Sequence, residues 1–243
     1  MSVNAIVQAR CGSSRFPDKV FAIIDGKPLI WHVINRLKCA KTIDDIIVAT
    51  TINPLDDKIE KWCKTNNINC FRGSEDNVLN RFYLASNSFP SDYIVRITAD
   101  DPFKEPEIID KIVKTLICEG LDYVTNNFPP SFPEGLDCEA FTKKTLEAME
   151  SKATKPIERE HVTQYIFRHL NEFRIKNISC DKMLKQYRWT IDTKQDYDYV
   201  VAIYAARKNK EGLLLMEEIL LILEDNPSLS KINSSVKRSL MYK

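Results

Sequence analysis

The sequence predicts an α/β protein with a mostly parallel central sheet and helices on both faces. Three observations carry that prediction. Short apolar runs at residues 5–7, 45–51 and 93–97 each suit a buried strand. Stretches with helical periodicity lie between such runs, so strand and helix alternate from the start of the chain. Loops rich in cations or carboxylates follow directly after strands, and that strand edge is where open α/β sheets bind ligands.

The elements follow in order. The first strand, 5–7, leads into a basic loop that ends near Val20. Residues 28–37 form a helix: Pro28 suits its first turn, and Leu29, Ile30, Val33, Ile34 and Leu37 recur on one face. After the strand at 45–51, residues 55–66 form a helix with Leu55, Ile59 and Trp62 inward. Residues 68–71 make a short third strand. The next helix runs through Arg81 and Tyr83, with Ser74 or Asp76 as its cap. The strand at 93–97 runs into Thr98-Ala-Asp-Asp-Pro102, where Asp101 is a candidate cap for the following helix, 107–119. A strand at 122–125 precedes a proline-dense loop, 126–135, stiff enough to wall a pocket. Residues 143–149 and 156–168 read as helices, and 173–178 and 187–191 as strands. Thr193 and Asp196 form a capping-box pattern that opens a helix at 194–207. A last apolar helix covers 213–223, and residues 231–243 are a polar, basic tail, expected to be loose. The whole chain, 1–243, reads as one domain.

Composition narrows the function. The net charge of +1 gives no global field to attract nucleic acid or an anionic membrane. The longest apolar run, 213–223, is too short to span a bilayer and is cut by Glu217 and Glu218. The N-terminus shows no signal-peptide pattern, so a cytoplasmic location is expected. The seven cysteines are odd in number, contain no C-x-x-C, and accompany only three histidines. They therefore read as reduced, mostly packed thiols rather than zinc ligands or a disulfide framework. Neither a Walker A loop nor G-x-G-x-x-G is present, which weighs against a P-loop ATPase or a dinucleotide enzyme.

The chemistry concentrates in two places. Arg10, Gly12, Ser13, Ser14, Arg15 and Lys19 fall within ten residues after the first strand. Glycine permits close backbone approach to oxygen, successive N–H groups can cradle an anion, and the cations can neutralise it, so the loop suits a polyphosphate. At the end of the 93–97 strand, Asp100 and Asp101 are adjacent carboxylates, which are costly unless solvated, hydrogen-bonded or facing a cation. Mg²⁺ is held by one or two carboxylates together with water and phosphate oxygens.

Gln8-Ala-Arg-Cys-Gly-Ser-Ser-Arg-Phe-Pro-Asp-Lys19, followed by Gly26-Lys-Pro-Leu29, resembles the signature of the spore-coat-polysaccharide cytidylyltransferase family. That family is similar to the 3-deoxy-manno-octulosonate and acylneuraminate cytidylyltransferases. Four later stretches also match its patterns: Arg72-Gly-Ser-Glu-Asp-Asn-Val-Leu-Asn-Arg81, Gly135-Leu-Asp-Cys-Glu139, Arg159-Glu-His-Val162 and Arg188-Trp-Thr-Ile-Asp-Thr193. The resemblance implies a GT-A-like nucleotidyltransferase fold and transfer of CMP from CTP to a sugar acid, with release of pyrophosphate. It implies nucleotide contacts from Gln8, Ala9, Arg10, Gly12, Ser13, Ser14, Arg15, Lys19, Arg72, Gly73 and Ser74. Arg15, Lys19 and Asp100 would be catalytic, with Mg²⁺ on Asp100 and Asp192. Arg96, Asp137, Glu139 and His161 would meet the acceptor, and a homodimer would be in keeping with relatives. Two alternatives stay open. The acceptor could be a phosphorylated sugar or a phosphonate, or the chain could be a glycosyltransferase on a GT-A-like fold. The Gly12–Lys19 loop suits a triphosphate better than a finished nucleotide sugar.

Overall fold

The structure, a computed structural model, describes residues 1–237; residues 238–243 of the expected tail lie outside the described residues. A seven-stranded sheet is built from β1 (Val3–Gln8), β4 (Asp45–Thr51), β5 (Asn69–Gly73), β6 (Tyr93–Thr98), β7 (Tyr123–Thr125), β8 (Glu139–Thr142) and β9 (Ile175–Asn177). A two-residue hairpin, β2 (Ile23–Ile24) with β3 (Lys27–Pro28), stands apart from it. The helices are α1 (Leu29–Leu37), α2 (Asp57–Thr65), α3 (Val78–Ser88), α4 (Pro106–Cys118), α5 (Lys143–Lys152), α6 (Pro156–Glu160), α7 (Gln164–Arg168), α8 (Lys194–Ala206) and α9 (Met216–Asp225).

The strand order is β5-β4-β1-β6-β8-β7-β9. β5, β4, β1 and β6 are mutually parallel, whereas β8 runs antiparallel to both of its neighbours. The chain steps outward from β1 to β4 and β5, then crosses back to place β6 on the other side of β1. Strand order therefore reverses between β1 and β6, and the loops after those two strands open a crevice at their carboxyl ends. Val3, Ala5 and Val7 of β1 pack into one core layer with α1, α4, α8 and α9, while Ile6 points into the other layer with α3, α5 and α7. This period of two, with both faces apolar, is what a doubly covered parallel strand requires. No helix among the described residues is long and apolar enough to cross a membrane.

Several elements depart from the sequence reading, each for a local reason. Asn53 caps a 3₁₀ turn, Pro54–Asp56, ahead of α2 by accepting the Leu55 N–H at 3.0 Å. That turn rotates the register, so Leu55 is exposed and Asp56 is buried instead. The expected 156–168 helix breaks into α6 and α7 around His161, where Thr163 turns its hydroxyl onto Glu139 at 2.7 Å. Residues 187–191 are not a sheet strand: β8 already occupies the position beside β6. They dock on loops instead, through the Trp189 N–H to Glu134 O at 2.7 Å and the Ile191 N–H to Asp100 O at 2.9 Å. The tail is anchored at Asn233, which is buried and donates to Arg188 O and Asp196 Oδ1, both at 3.0 Å.

Candidate active site

Three cavities meet at the carboxyl ends of β1 and β6. The central one, about 220 Å³, is lined by Gln8, Ala9, Arg10, Ser13, Ser14, Arg15 and Lys19 of the basic loop, with Asp100 and Asp192 opposite. It shares Gln8 and Arg10 with a second cavity of about 450 Å³, lined by Asn77, the N-cap of α3, and by Val78 and Arg81 of that helix. It shares Thr98, Asp100 and Asp192 with a third, also about 450 Å³, walled by Arg96, Asn127, Phe128, Asp137, Glu139 and Thr163. His161 faces both outer cavities.

Asp100 and Asp192 are 92 positions apart in sequence, yet both reach the same ammonium: Lys19 Nζ lies 2.9 Å from Asp100 Oδ2 and 2.9 Å from Asp192 Oδ1. The backbone bond from Ile191 N–H to Asp100 O brings the two residues together. Arg188 Nη2 at 2.9 Å and Arg15 Nη2 at 3.1 Å hold the other Asp192 oxygen. Burial alone would raise the Asp192 carboxyl, but Lys19, Arg15 and Arg188 hold it down at about 2. At Asp100, too, Lys19 outweighs burial and keeps the carboxyl below its usual value. Burial disfavours the Lys19 charge, and the two carboxylates more than restore it. Asp192 does not cap α8. Thr193 is the N-cap, accepting the Asp196 N–H at 3.2 Å in a complete capping box.

The basic loop is fastened by a residue that sequence reasoning missed. Buried Asp56 accepts the Cys11 N–H at 2.7 Å and the Thr51 hydroxyl. Burial and Asp56 push the Cys11 thiol up to about 12, so it is a packing group. Gly12 does not line the central cavity, and a Cβ there would meet only Glu75 Oε1 at 3.7 Å, so no close approach demands glycine.

Arg72, Gly73 and Ser74 are placed behind the second cavity rather than in it. Arg72 donates to Thr51 O at 2.9 Å and Asn53 O at 3.0 Å, and pairs with Asp57 and Glu60. Gly73 packs under Arg81, where a Cβ would lie 3.0 Å from Arg81 Cγ. Ser74 accepts the Asn77 N–H at 3.0 Å, and its carbonyl accepts from Arg81. The stretch thus sets the start of α3 and aims Arg81, the end of the same motif, at the cavity. Burial and the neighbouring Arg10 charge lower the Arg81 guanidinium to about 10. Among the described residues, Arg81 Nε and Gln8 Oε1 are buried polar atoms without a hydrogen-bond partner.

In the third cavity, Glu139 is committed to protein partners: Arg96 across the β6–β8 ladder, the Tyr123 hydroxyl and Thr163. Burial raises its carboxyl, and these partners hold it below the ordinary value. Asp137 lies just before β8, and its Oδ2 accepts the Gly135 N–H at 3.4 Å. Asp101 is no helix cap. It is buried, accepts from the Thr98 hydroxyl at 2.6 Å and pairs with buried Lys104 at 2.8 Å, whose ammonium also reaches Asp137 O. Burial keeps the His161 imidazole below its ordinary pKa. Phe128 and Phe167, with ring centroids 4.7 Å apart, add an aromatic wall. The base of the 126–135 loop is clipped by Asn126, which donates to Leu136 O at 2.9 Å and accepts the Cys138 N–H at 2.8 Å. Gly135 sits at φ +106° against the docked 187–191 segment, where a Cβ would lie 2.8 Å from Thr190 N.

The family model for cytidylyltransferases matches residues 4–222, which includes every element of this site. The chain belongs to the cytidylyltransferase family. Like other members, it is a CTP-dependent nucleotidyltransferase. It is 38% identical over 242 residues to an uncharacterized protein of Methanocaldococcus jannaschii, covering 98% of this chain and 97% of that one. It is 31% identical over 229 residues to the spore coat polysaccharide biosynthesis protein SpsF of Bacillus subtilis, covering 91% and 94%. Over a shorter stretch of 119 residues it is 34% identical to the 3-deoxy-manno-octulosonate cytidylyltransferase of Pelobacter propionicus, 48% of this chain and 45% of that one. The solved structure of a cytidylyltransferase from Leptospira borgpetersenii superposes with a TM-score of 0.89 at 31% identity, covering 95% and 97%. The nucleotidyltransferase fold implied by the family resemblance is thus the fold observed.

Proposed function

We propose that this cytidylyltransferase transfers CMP from CTP to a sugar acid of the 3-deoxy-ulosonic or nonulosonic type, for a surface polysaccharide or glycan. The observation that carries the reading is the three-cavity arrangement, with a cation-lined centre between two larger chambers. The Arg81 cavity takes the nucleoside, the basic loop takes the triphosphate, and the Asp137 cavity takes the acceptor. The hydroxyl of the acceptor then meets the α-phosphate at the Asp100–Asp192 junction; the new P–O bond forms as the bond to pyrophosphate breaks, and the hydroxyl proton is released to water. Arg10 and Arg15 stabilise the charge that develops on the departing pyrophosphate. The acid-type reading of the acceptor is supported by the partial likeness to 3-deoxy-manno-octulosonate cytidylyltransferases.

The site fits Mg²⁺. Two carboxylates converge on one positive charge, and hard oxygen donors of this number are what Mg²⁺ takes from a protein while phosphate and water complete its shell. Asp100 and Asp192 would hold the ion, which supplies charge neutralisation at the α-phosphate. The chain's own residues hold the carboxylates in register, through Arg188 and the Ile191–Asp100 bond.

The test is pyrophosphate release with each of the four nucleoside triphosphates against a panel of ulosonic and nonulosonic acids, sugar phosphates and phosphonates. Turnover is expected with CTP and a sugar acid. Preference for a sugar phosphate or phosphonate would overturn the acceptor assignment.

A further inference from the structure

An ammonium has three N–H donors. All three of Lys19 are used here, on Asp100 Oδ2 at 2.9 Å, Asp192 Oδ1 at 2.9 Å and Ile191 O at 2.8 Å. In this arrangement the residue expected to hold a triphosphate has no donor left for phosphate. It takes one oxygen from each candidate metal ligand, and its side chain is only 11% exposed. Without a cation between them, the two carboxylates would repel and spread. A divalent ion that takes the same two oxygens competes with this ammonium, because the two cations repel each other strongly at contact distance. Lys19 can leave without moving the sheet. It has a flexible four-carbon stem, and its side chain also lines the central cavity, together with Ser13, Ser14 and Arg15.

We propose that Lys19 is an internal counter-ion that keeps the Asp100–Asp192 pair assembled and closed to metal until nucleotide arrives. The triphosphate then draws the ammonium into the basic loop and opens the pair to the divalent ion. Metal and nucleotide binding are coupled through this one side chain. Lys19 acts first as a positioning residue for the carboxylates and then as a phosphate ligand. The inference rests on the reading of Asp100 and Asp192 as the metal pair.

Mn²⁺ is the probe, with affinity for the full-length protein read by electron paramagnetic resonance of the free ion. In the nucleotide-free state, Lys19→Met and Lys19→Gln should bind Mn²⁺ more tightly than wild type, on the order of tenfold, the usual size of such a coupling. Adding Asp100→Asn to either variant should remove the gain. Two variants are used so that one poorly folded protein, identified by its melting curve, does not decide the result. A separate arm measures Mn²⁺ with a non-hydrolysable CTP analogue bound, in wild type and Asp100→Asn, against the analogue alone. Equal nucleotide-free affinity in wild type and the folded Lys19 variants would overturn the counter-ion role. If Asp100-dependent binding still appeared in the analogue complex, the metal pair itself would stand. No Asp100-dependent binding in that complex would overturn the metal reading and this inference together.

Discussion

On the β1 side of the Lys19 ammonium, residues 8–19 supply most of the lining as one continuous stretch. On the Asp137 side, the lining comes from β6, the 126–135 loop, the start of β8, the α6–α7 break and the 187–192 segment. The first is a local motif on a parallel strand end. The second is an assembly, held by bonds between segments distant in the chain, such as Trp189 N–H to Glu134 O. Damage to the first should therefore stay local, whereas damage to the second should spread along the contacts that assemble it.

The largest effect tests the junction between the two sides. Asp100→Asn and Asp192→Asn should each lower turnover on the order of a hundredfold or more, as removing electrostatic stabilisation from a reacting centre does. Because Thr193 and not Asp192 caps α8, helix content by circular dichroism should stay unchanged. Near-wild-type turnover of Asp192→Asn would detach the 187–192 segment from the chemistry.

An intermediate effect tests the assembled side. Gly135→Ala places a methyl 2.8 Å from Thr190 N in a backbone region unfavourable to alanine. Strain and overpacking together should cost about 2–4 kcal/mol, read as a lower denaturation midpoint. The affinity for CTP should fall less than the catalytic rate, because the basic loop is untouched. An unchanged midpoint would show that the packing of Gly135 against Trp189 and Thr190 is slack.

The smallest effect sharpens the boundary of the nucleotide side. Arg72→Ala should cost roughly 1 kcal/mol of stability, since it removes hydrogen bonds to two carbonyls and ion pairs to exposed partners. CTP affinity by calorimetry should stay within about twofold, in line with a surface change away from the ligand. A tenfold loss would return Arg72 to the nucleotide site.

This contrast also explains what could be read from the sequence. The parallel half of the sheet announces itself through apolar runs and helical periods, because each strand is buried on both faces. The basic loop was readable because its chemistry is contiguous. Asp56 was not, since a 3₁₀ turn hidden in the 55–66 pattern turns it inward. Arg81 ends a motif in which the family resemblance points to Arg72, Gly73 and Ser74, but the Arg72 charge is paired with Asp57 and Glu60. The break at His161 has no proline or glycine to mark it; its cause is the Thr163–Glu139 bond, which joins residues 24 apart. The 187–191 run has strand composition, but sheet membership depends on which edge is vacant, and β8 occupies the place beside β6.

The Asn126 clip has an engineering consequence. Its two bonds, to Leu136 O and from the Cys138 N–H, close the neck of the 126–135 loop with one side chain. Residues 127–130 therefore project from a fixed neck, and the chain is buried again from Ser131 onward. Beyond the tip the loop is tied down again: Ser131 Oγ accepts the Cys180 N–H at 2.8 Å, Ser131 O accepts the Leu184 N–H at 2.8 Å, and Phe132 packs in the core. Phe128, 45% exposed at the tip, is thus the position of the stretch where side chains can be varied to reshape the wall of the third cavity without disturbing the buried base or the basic loop.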